Sequence, residues 1–204
     1  MPEYKVHQLW PKPIFDTEIP VKQQWLDFAY NSEYERVFID NADYTKEKYV
    51  LNKLPDLKQL ILEQVNIFTT DYLKVIDVEF YFLNSWIVKH HPKDWAQDHM
   101  HENSLLSGVY YLDTPKDAGG IVFVKGYNEQ EIFPMAITPK VSEYNYVTSR
   151  QMTFQVNPGK LVIFPSNLMH RVEENKSDKN RYSLAFNLYC RGNDDSFRQK
   201  TVIR

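Results

Sequence analysis

From residue 78 to residue 189 the sequence advances in short runs of β-branched and aromatic residues, each stopped by turn chemistry, and this rhythm commits most of the chain to antiparallel sheet. The runs cover 78–89, 105–112, 120–124, 152–156, 160–164, 169–173 and 181–189. Between them stand Thr114-Pro115, Ala118-Gly119-Gly120, Asn157-Pro158-Gly159 and Ser177-Asp178, residue types that end strands and reverse chains. Many short strands punctuated in this way make a sandwich or a barrel. Before residue 77 the signals are helical. Leu57, Leu60, Ile61, Val65, Phe68 and Tyr72 form one apolar stripe, and Asp56 with Gln59 three residues on reads as a capping box. A second helix starts near Pro20 and carries Trp25, Leu26 and Phe28. Helices first and strands afterwards predict an α+β chain with the helices packed on one sheet. The expected organisation is one domain over 1–204, with a helical part at 1–76 and a β-barrel core at 77–191. Within that core, 125–151 breaks the strand rhythm, at a length that marks a lid or substrate loop.

Composition narrows the function classes. Hydrophobic residues make up 43% of the chain and aromatics 15%, enough for a full core. The formal charge is −3 and the lysines and arginines are scattered, so no nucleic-acid footprint is present. Cys190 is the single cysteine, which excludes a disulfide framework and a thiolate zinc cluster and fits a reducing compartment. The start, MPEYKVHQLWPKP, lacks the basic and apolar regions of a secretory signal, and no apolar run nears the roughly 20 residues that span a bilayer. The expectation is a cytoplasmic protein without a nucleic-acid or membrane partner. Its aromatic N-terminal region is as compatible with core as with a homo-oligomer contact.

Four of the six histidines fall between residues 90 and 101. His90 and His91 are adjacent, so on a strand they point to opposite faces and cannot share an ion; packing and solvation explain both. His99-Met100-His101 has the spacing that puts two imidazoles on one face of a strand. Such a pair alone is commonplace. His170, which follows Pro158-Gly159 and the apolar run Leu161-Val162-Ile163-Phe164, is the distant third nitrogen that would complete a metal site. Imidazole suits Fe(II), zinc, copper or nickel rather than magnesium or calcium, and three histidines leave positions open for chemistry.

The run 181–188 alternates cleanly. Tyr182, Leu184, Phe186 and Leu188 make a core face, whereas Arg181, Ser183, Ala185 and Asn187 make a short polar face led by a cation. That face is either a solvated edge or the wall of a cavity that takes an anion. In the second case the guanidinium would hold a carboxylate by two parallel hydrogen bonds, and a hydroxyl two residues on would add a third.

Taken in order, His99-x-His101, Ser107-Gly108-Val109-Tyr110-Tyr111-Leu112, Gly119-Gly120-Ile121, Pro158-Gly159-Lys160-Leu161-Val162-Ile163-Phe164-Pro165, His170-x-Val172 and Arg181-x-Ser183 resemble the Fe(II)/2-oxoglutarate-dependent oxygenases. The likeness is to those of bacteria and phages and, more distantly, to prolyl hydroxylases, and it covers residues 84–190. It implies a double-stranded β-helix, the jelly-roll or cupin-like barrel. It also implies His99 and His170 as iron ligands, Arg181 on the distal carboxylate of 2-oxoglutarate, and Ser183 and Tyr111 in support. The implied cofactor is Fe(II), with 2-oxoglutarate and O2 as co-substrates. The implied reaction is hydroxylation of a small molecule or of a peptide or protein side chain, with release of succinate and CO2. One position departs from the pattern. The family usually carries Asp or Glu two residues after its first histidine, where this chain has His101. His101 as a neutral third ligand is the favoured reading, and Asp98 or Glu102 is the alternative if a bulge turns one of them inward.

Two other readings share parts of this signal. A cupin-like metalloprotein would use the three histidines without 2-oxoglutarate but gives Arg181 and Ser183 no purpose. A non-catalytic ligand-binding sandwich would use Tyr127, Phe133, Tyr144 and Tyr146 for stacking and needs no metal.

Overall fold

Alternation along the strands gives the larger sheet two different faces. Tyr110, Leu112, Leu161, Ile163, Leu184 and Phe186 point to one side, where they meet Trp25, Leu57, Ile61, Val65 and Phe68 of the helices. Tyr111, Val162 and Phe164 point to the other side and meet Ile121 and Phe123 of a second sheet. Each such side chain contributes roughly 1.5–3 kcal/mol on leaving water. The computed structural model describes residues 3–126, 139–193 and 202–203. In chain order the elements are β1 (Phe15–Glu18), α1 (Gln23–Asn31), β2 (Tyr34–Val37), β3 (Ala42–Thr45) and α2 (Pro55–Asn66), which runs on into a π-helical turn (Ile67–Tyr72). Then follow β4 (Val78–His90), β5 (Ala96–His99), β6 (Leu106–Asp113), β7 (Ile121–Val124) and β8 (Gln151–Phe154). The last are β9 (Lys160–Pro165), β10 (His170–Val172), β11 (Arg181–Asn193) and β12 (Val202–Ile203).

The strands form an eight-stranded sheet in the order β1-β9-β6-β11-β4-β3-β2, with β12 beside β11, and a four-stranded sheet in the order β5-β10-β7-β8. The pairings are antiparallel. The architecture is therefore mostly antiparallel β-sheet, with few helices, packed against one face of the larger sheet. Among the described residues no helix is long and apolar enough to cross a membrane.

The strands expected over 78–189 are present with ends shifted by a few residues, except that β11 runs on to Asn193. The first 76 residues differ from the helical expectation, because β1, β2 and β3 add three strands there. These are four-residue elements on or near sheet edges, with polar residues interleaved, so their sequences lack a long apolar alternation. The β2–β3 hairpin is fastened by Arg36, whose Nη1 and Nη2 donate to the two carboxylate oxygens of Asp94 at 2.7 and 2.8 Å. It thereby sets Tyr44 against Trp86, ring centroids 6.1 Å apart.

Asp56 does not cap α2. The N-cap is Leu54, and the Asp56 carboxylate instead accepts from Trp25 Nε1 at 3.1 Å, Lys22 Nζ at 2.9 Å and Gln24 Nε2 at 2.8 Å. A residue expected to close its own helix therefore clasps α1 to α2. Tyr72, the last member of the expected stripe, is exposed, because the π turn shifts the hydrogen-bond step and rotates the face after Phe68. Of the interval 125–151, Tyr144 and Tyr146 are exposed, and Tyr127 and Phe133 lie outside the described residues.

Gly108 is fixed by packing. It pairs with Phe186 on β11, and a Cβ at Gly108 would overlap the Phe186 ring, which also packs edge-on against Phe82 with centroids 5.3 Å apart. Gly108→Ala is expected to displace that ring and cost about 1–3 kcal/mol. Thermal unfolding should then show a midpoint lower by roughly 2–4 °C for each kcal/mol. An unchanged midpoint would mean that the ring relaxes freely.

Candidate active site

β5 ends on His99 and β10 begins on His170, and the two are direct cross-strand partners. His101 lies just past the end of β5, in a loop held where the His101 N–H donates to the Ser166 carbonyl at 2.8 Å. The pair is thus not carried on one strand face, as its spacing suggested; the strand stops and the loop turns the second imidazole in. One ligand atom from each of the three rings lies within 4.8 Å of the others. Among the described residues this cluster contains no carboxylate. Asp98 is paired outward with Arg171 at 3.2 Å, and Glu102 is exposed.

Each ring is oriented from behind. His99 Nδ1 is 2.8 Å from the Gln97 carbonyl and His170 Nδ1 is 2.8 Å from the Leu168 carbonyl. A carbonyl only accepts, so both rings carry a proton on Nδ1, and Nε2 is the nitrogen left to meet a ligand. His101 Nδ1 is 2.6 Å from Asn187 Oδ1. Asn187 is itself held by Ser107, which donates to Oδ1 at 2.8 Å, and by its own Nδ2 donating to Asn84 at 3.0 Å. Fixing one ring nitrogen so that the other is a lone-pair donor is the arrangement that orients metal-binding histidines. Burial drives the His170 imidazole down to about 3 and holds His101 below the ordinary histidine range, so both are neutral near pH 7.

A cavity runs inward from these rings between the sheets, lined among others by Trp86, His90, Tyr111, Arg181 and Ser183. Arg181, at the head of β11, is only 1% exposed. Its Nη1 donates to the carbonyls of Ala118 at 2.6 Å and Gly119 at 3.1 Å, and its Nε has no partner. Gly119 presents these carbonyls from a left-handed conformation (φ +77°), where a Cβ would meet the carbonyl oxygens of Glu173 and Glu174 at 2.8 Å. Burial lowers the Arg181 pKa, while nearby Tyr111 and Glu173 oppose the shift. Burial also pushes the Tyr111 phenol up to about 12, so it stays protonated near pH 7. Ser183 and Tyr111 are neighbours across the β11–β6 pairing. Arg181, Ser183 and Tyr111 thus line one wall, on the parity expected from sequence.

No sequence signal marks His90 or Trp86 for chemistry, yet both line this cavity. Only the β4–β11 register, which sets His90 opposite Arg181, reveals their place. Among the described residues, five buried side-chain polar atoms lack a hydrogen-bond partner, and four of them are Trp86 Nε1, Arg181 Nε and both ring nitrogens of His90. Buried polar atoms are normally satisfied, at a cost of about 1–3 kcal/mol each when they are not. Their concentration in one cavity, mostly as donors, fits an anionic ligand rich in acceptors. The three imidazoles at the mouth fit Fe(II) by ligand type. The residues therefore suit both an iron ion and a dicarboxylate co-substrate.

Residues 84–187, half of the chain, match the family described as "Putative 2OG-Fe(II) oxygenase". No curated protein matches the sequence. Among solved structures, an oxidoreductase of the 2OG-Fe(II) oxygenase family from Burkholderia pseudomallei is similar with a TM-score of 0.58 at 13% identity, over 89% of this chain and 80% of that one. A Pseudomonas putida prolyl-4-hydroxylase gives 0.55 at 12% identity, over 86% and 92%. The non-heme α-ketoglutarate-dependent epimerase SnoN from nogalamycin biosynthesis gives 0.61 at 11% identity, over 92% and 83%. At these identities the likeness concerns the fold, whereas the sequence match covers the strands that wall the cavity. On that match the protein belongs to the 2OG-Fe(II) oxygenases, oxidoreductases whose chemistry requires Fe(II), 2-oxoglutarate and O2.

Proposed function

We propose that this chain is an Fe(II)- and 2-oxoglutarate-dependent dioxygenase of the cytoplasm that hydroxylates its substrate, with His99, His101 and His170 as the metal ligands. In this reading Arg181 holds the distal carboxylate of 2-oxoglutarate, supported by Ser183 and Tyr111. The two sheets form the double-stranded β-helix expected for the family, and 125–151 serves as its lid or substrate loop. The observation that carries the reading is one cavity with three rear-anchored imidazoles at its mouth and, inside, a buried guanidinium whose Nε has no hydrogen-bond partner among the described residues.

When bound, the iron, 2-oxoglutarate and O2 supply the oxidation of a C–H bond, releasing succinate and CO2. The chain's own residues supply position and exclusion of water. Gln97, Leu168 and Asn187 fix the rings. Arg181, braced by two carbonyls, sets the depth and direction of the co-substrate. Three neutral ligands leave the site one unit more positive than a site with a carboxylate ligand, which favours a dianionic partner. His99 and His101 also line an outer depression of about 540 Å³, together with Met100, Glu102 and Met169, where a substrate can approach. The distant likeness to prolyl hydroxylases suits a peptide or protein side chain there, and a small molecule is the alternative.

Purified protein given Fe(II), ascorbate, O2 and 2-oxoglutarate is expected to form succinate, and His170→Ala to form almost none. Arg181→Ala should need roughly 10- to 150-fold more 2-oxoglutarate, the loss of a charged hydrogen-bonded contact. Hydroxylated product gains one oxygen atom, whereas an epimerised product keeps its mass. Absence of succinate together with absence of 2-oxoglutarate binding to the metal-loaded protein would sink the proposal.

The neutral rings also set a pH dependence. As pH falls through about 6.5 the unfolded chain takes up protons on its histidines, while His170 in the fold resists until about 3 and His101 resists below its ordinary range. The unfolded state binds more protons across that interval, so stability falls on acidification and is recovered above it. Urea midpoints of the metal-free protein should therefore drop between about pH 7 and pH 4. His170→Gln should drop less, and an equal drop would remove His170 as the source.

A further inference from the structure

We propose that His90 is a further binding residue for 2-oxoglutarate, donating a ring N–H to the distal carboxylate beside Arg181; the inference rests on the cavity being the co-substrate site. His90 is 2% exposed, and neither ring nitrogen has a hydrogen-bond partner among the described residues. A buried imidazole with both nitrogens idle is unfavourable by about 1–3 kcal/mol for each polar group, so the ring is built for something that arrives later. It lines the cavity and is the direct cross-strand partner of Arg181. Directly paired residues on one sheet face have Cβ atoms about 4.5–5.5 Å apart, so a carboxylate held by the guanidinium lies within reach of the ring.

The chemistry of the neighbours defines what the ring does. Arg181 spends Nη1 on two carbonyls and keeps Nε free, so it cannot satisfy every lone pair of a carboxylate by itself. Burial, and then Arg181, Arg36 and His91, keep His90 neutral. A neutral imidazole has one N–H, and a carboxylate only accepts, so the nitrogen facing it carries the proton. The ring is outside the metal cluster. Its backbone is held as well, since Asn175 Nδ2 donates to the His90 carbonyl at 3.1 Å. One cation and a set of neutral donors match a singly charged carboxylate better than a doubly charged phosphate.

The test is calorimetric titration of the Fe(II)-loaded protein under anaerobic conditions with 2-oxoglutarate and, separately, with 2-oxobutanoate, which has the same keto-acid head and no distal carboxylate. His90→Phe is expected to weaken 2-oxoglutarate roughly 10- to 150-fold and to leave 2-oxobutanoate within about twofold of wild type. It should also raise the thermal midpoint of the ligand-free protein, because two unsatisfied nitrogens disappear. His90→Gln, which keeps a side-chain N–H, should recover most of the affinity, and His90→Leu should repeat the loss if a phenyl ring does not pack. Equal weakening of both ligands, or wild-type affinity for 2-oxoglutarate in the Phe and Leu variants, overturns the assignment of His90. Failure of the wild-type protein to bind 2-oxoglutarate overturns the reading of the cavity, and His90 with it.

Discussion

The antiparallel pairing of β4 with β11 is the contact on which the rest of the molecule depends. From Arg181 opposite His90 to Asn187 opposite Asn84 it keeps one register, which sets the contents of both ends of the cavity, and a bulge then shifts the pairing of Leu188 to Phe82. Towards the metal-binding end it puts Asn187 beside Asn84, and Asn187 in turn holds His101. Towards the other end it puts Arg181 opposite the buried imidazole of His90. The outer faces of the same strands carry Leu184, Phe186 and Leu188 into the helix-covered core, so the apolar packing that stabilises the fold also fixes the register. A slip of one residue would send Arg181 and Ser183 into the core and the leucines into the cavity.

That coupling explains how the protein tolerates its unsatisfied polar atoms. A guanidinium and an imidazole buried side by side oppose folding, and the surrounding structure must outweigh them. The weight comes from a sheet packed on both faces and from the Asp56 clasp between the helices. The unfavourable groups are concentrated in one cavity, with the rest of the described interior almost fully satisfied, and in the proposed function that folding cost is recovered as affinity for an anion.

Much of this was legible in the residues, and the pattern of what was not has a physical cause. The runs over 78–189 and the two faces of 181–188 follow from alternation, which is local. The gathering of His99, His101 and His170 was legible from their order, although the strand–loop junction that achieves it was not. β5 has the sequence Ala-Gln-Asp-His, with no β-branched residue to announce a strand. β1, β2 and β3 are too short and too polar to stand out. His90 escaped because its partner is 91 positions away, and only cross-strand register brings the two together.

The rear anchors of the histidines carry one more consequence. Coordination by imidazole often competes with a proton already on the ring nitrogen, which makes uptake of an ion sensitive to the acidity of the surroundings. Here His101 and His170 each turn Nδ1 to an anchor, and desolvation keeps both rings from acquiring a second proton near pH 7. An ion bound between these two rings, as in the proposed function, would displace nothing from them. Its capture by them would be a simple filling of prepared lone pairs, indifferent to the buffering of the medium across the neutral range.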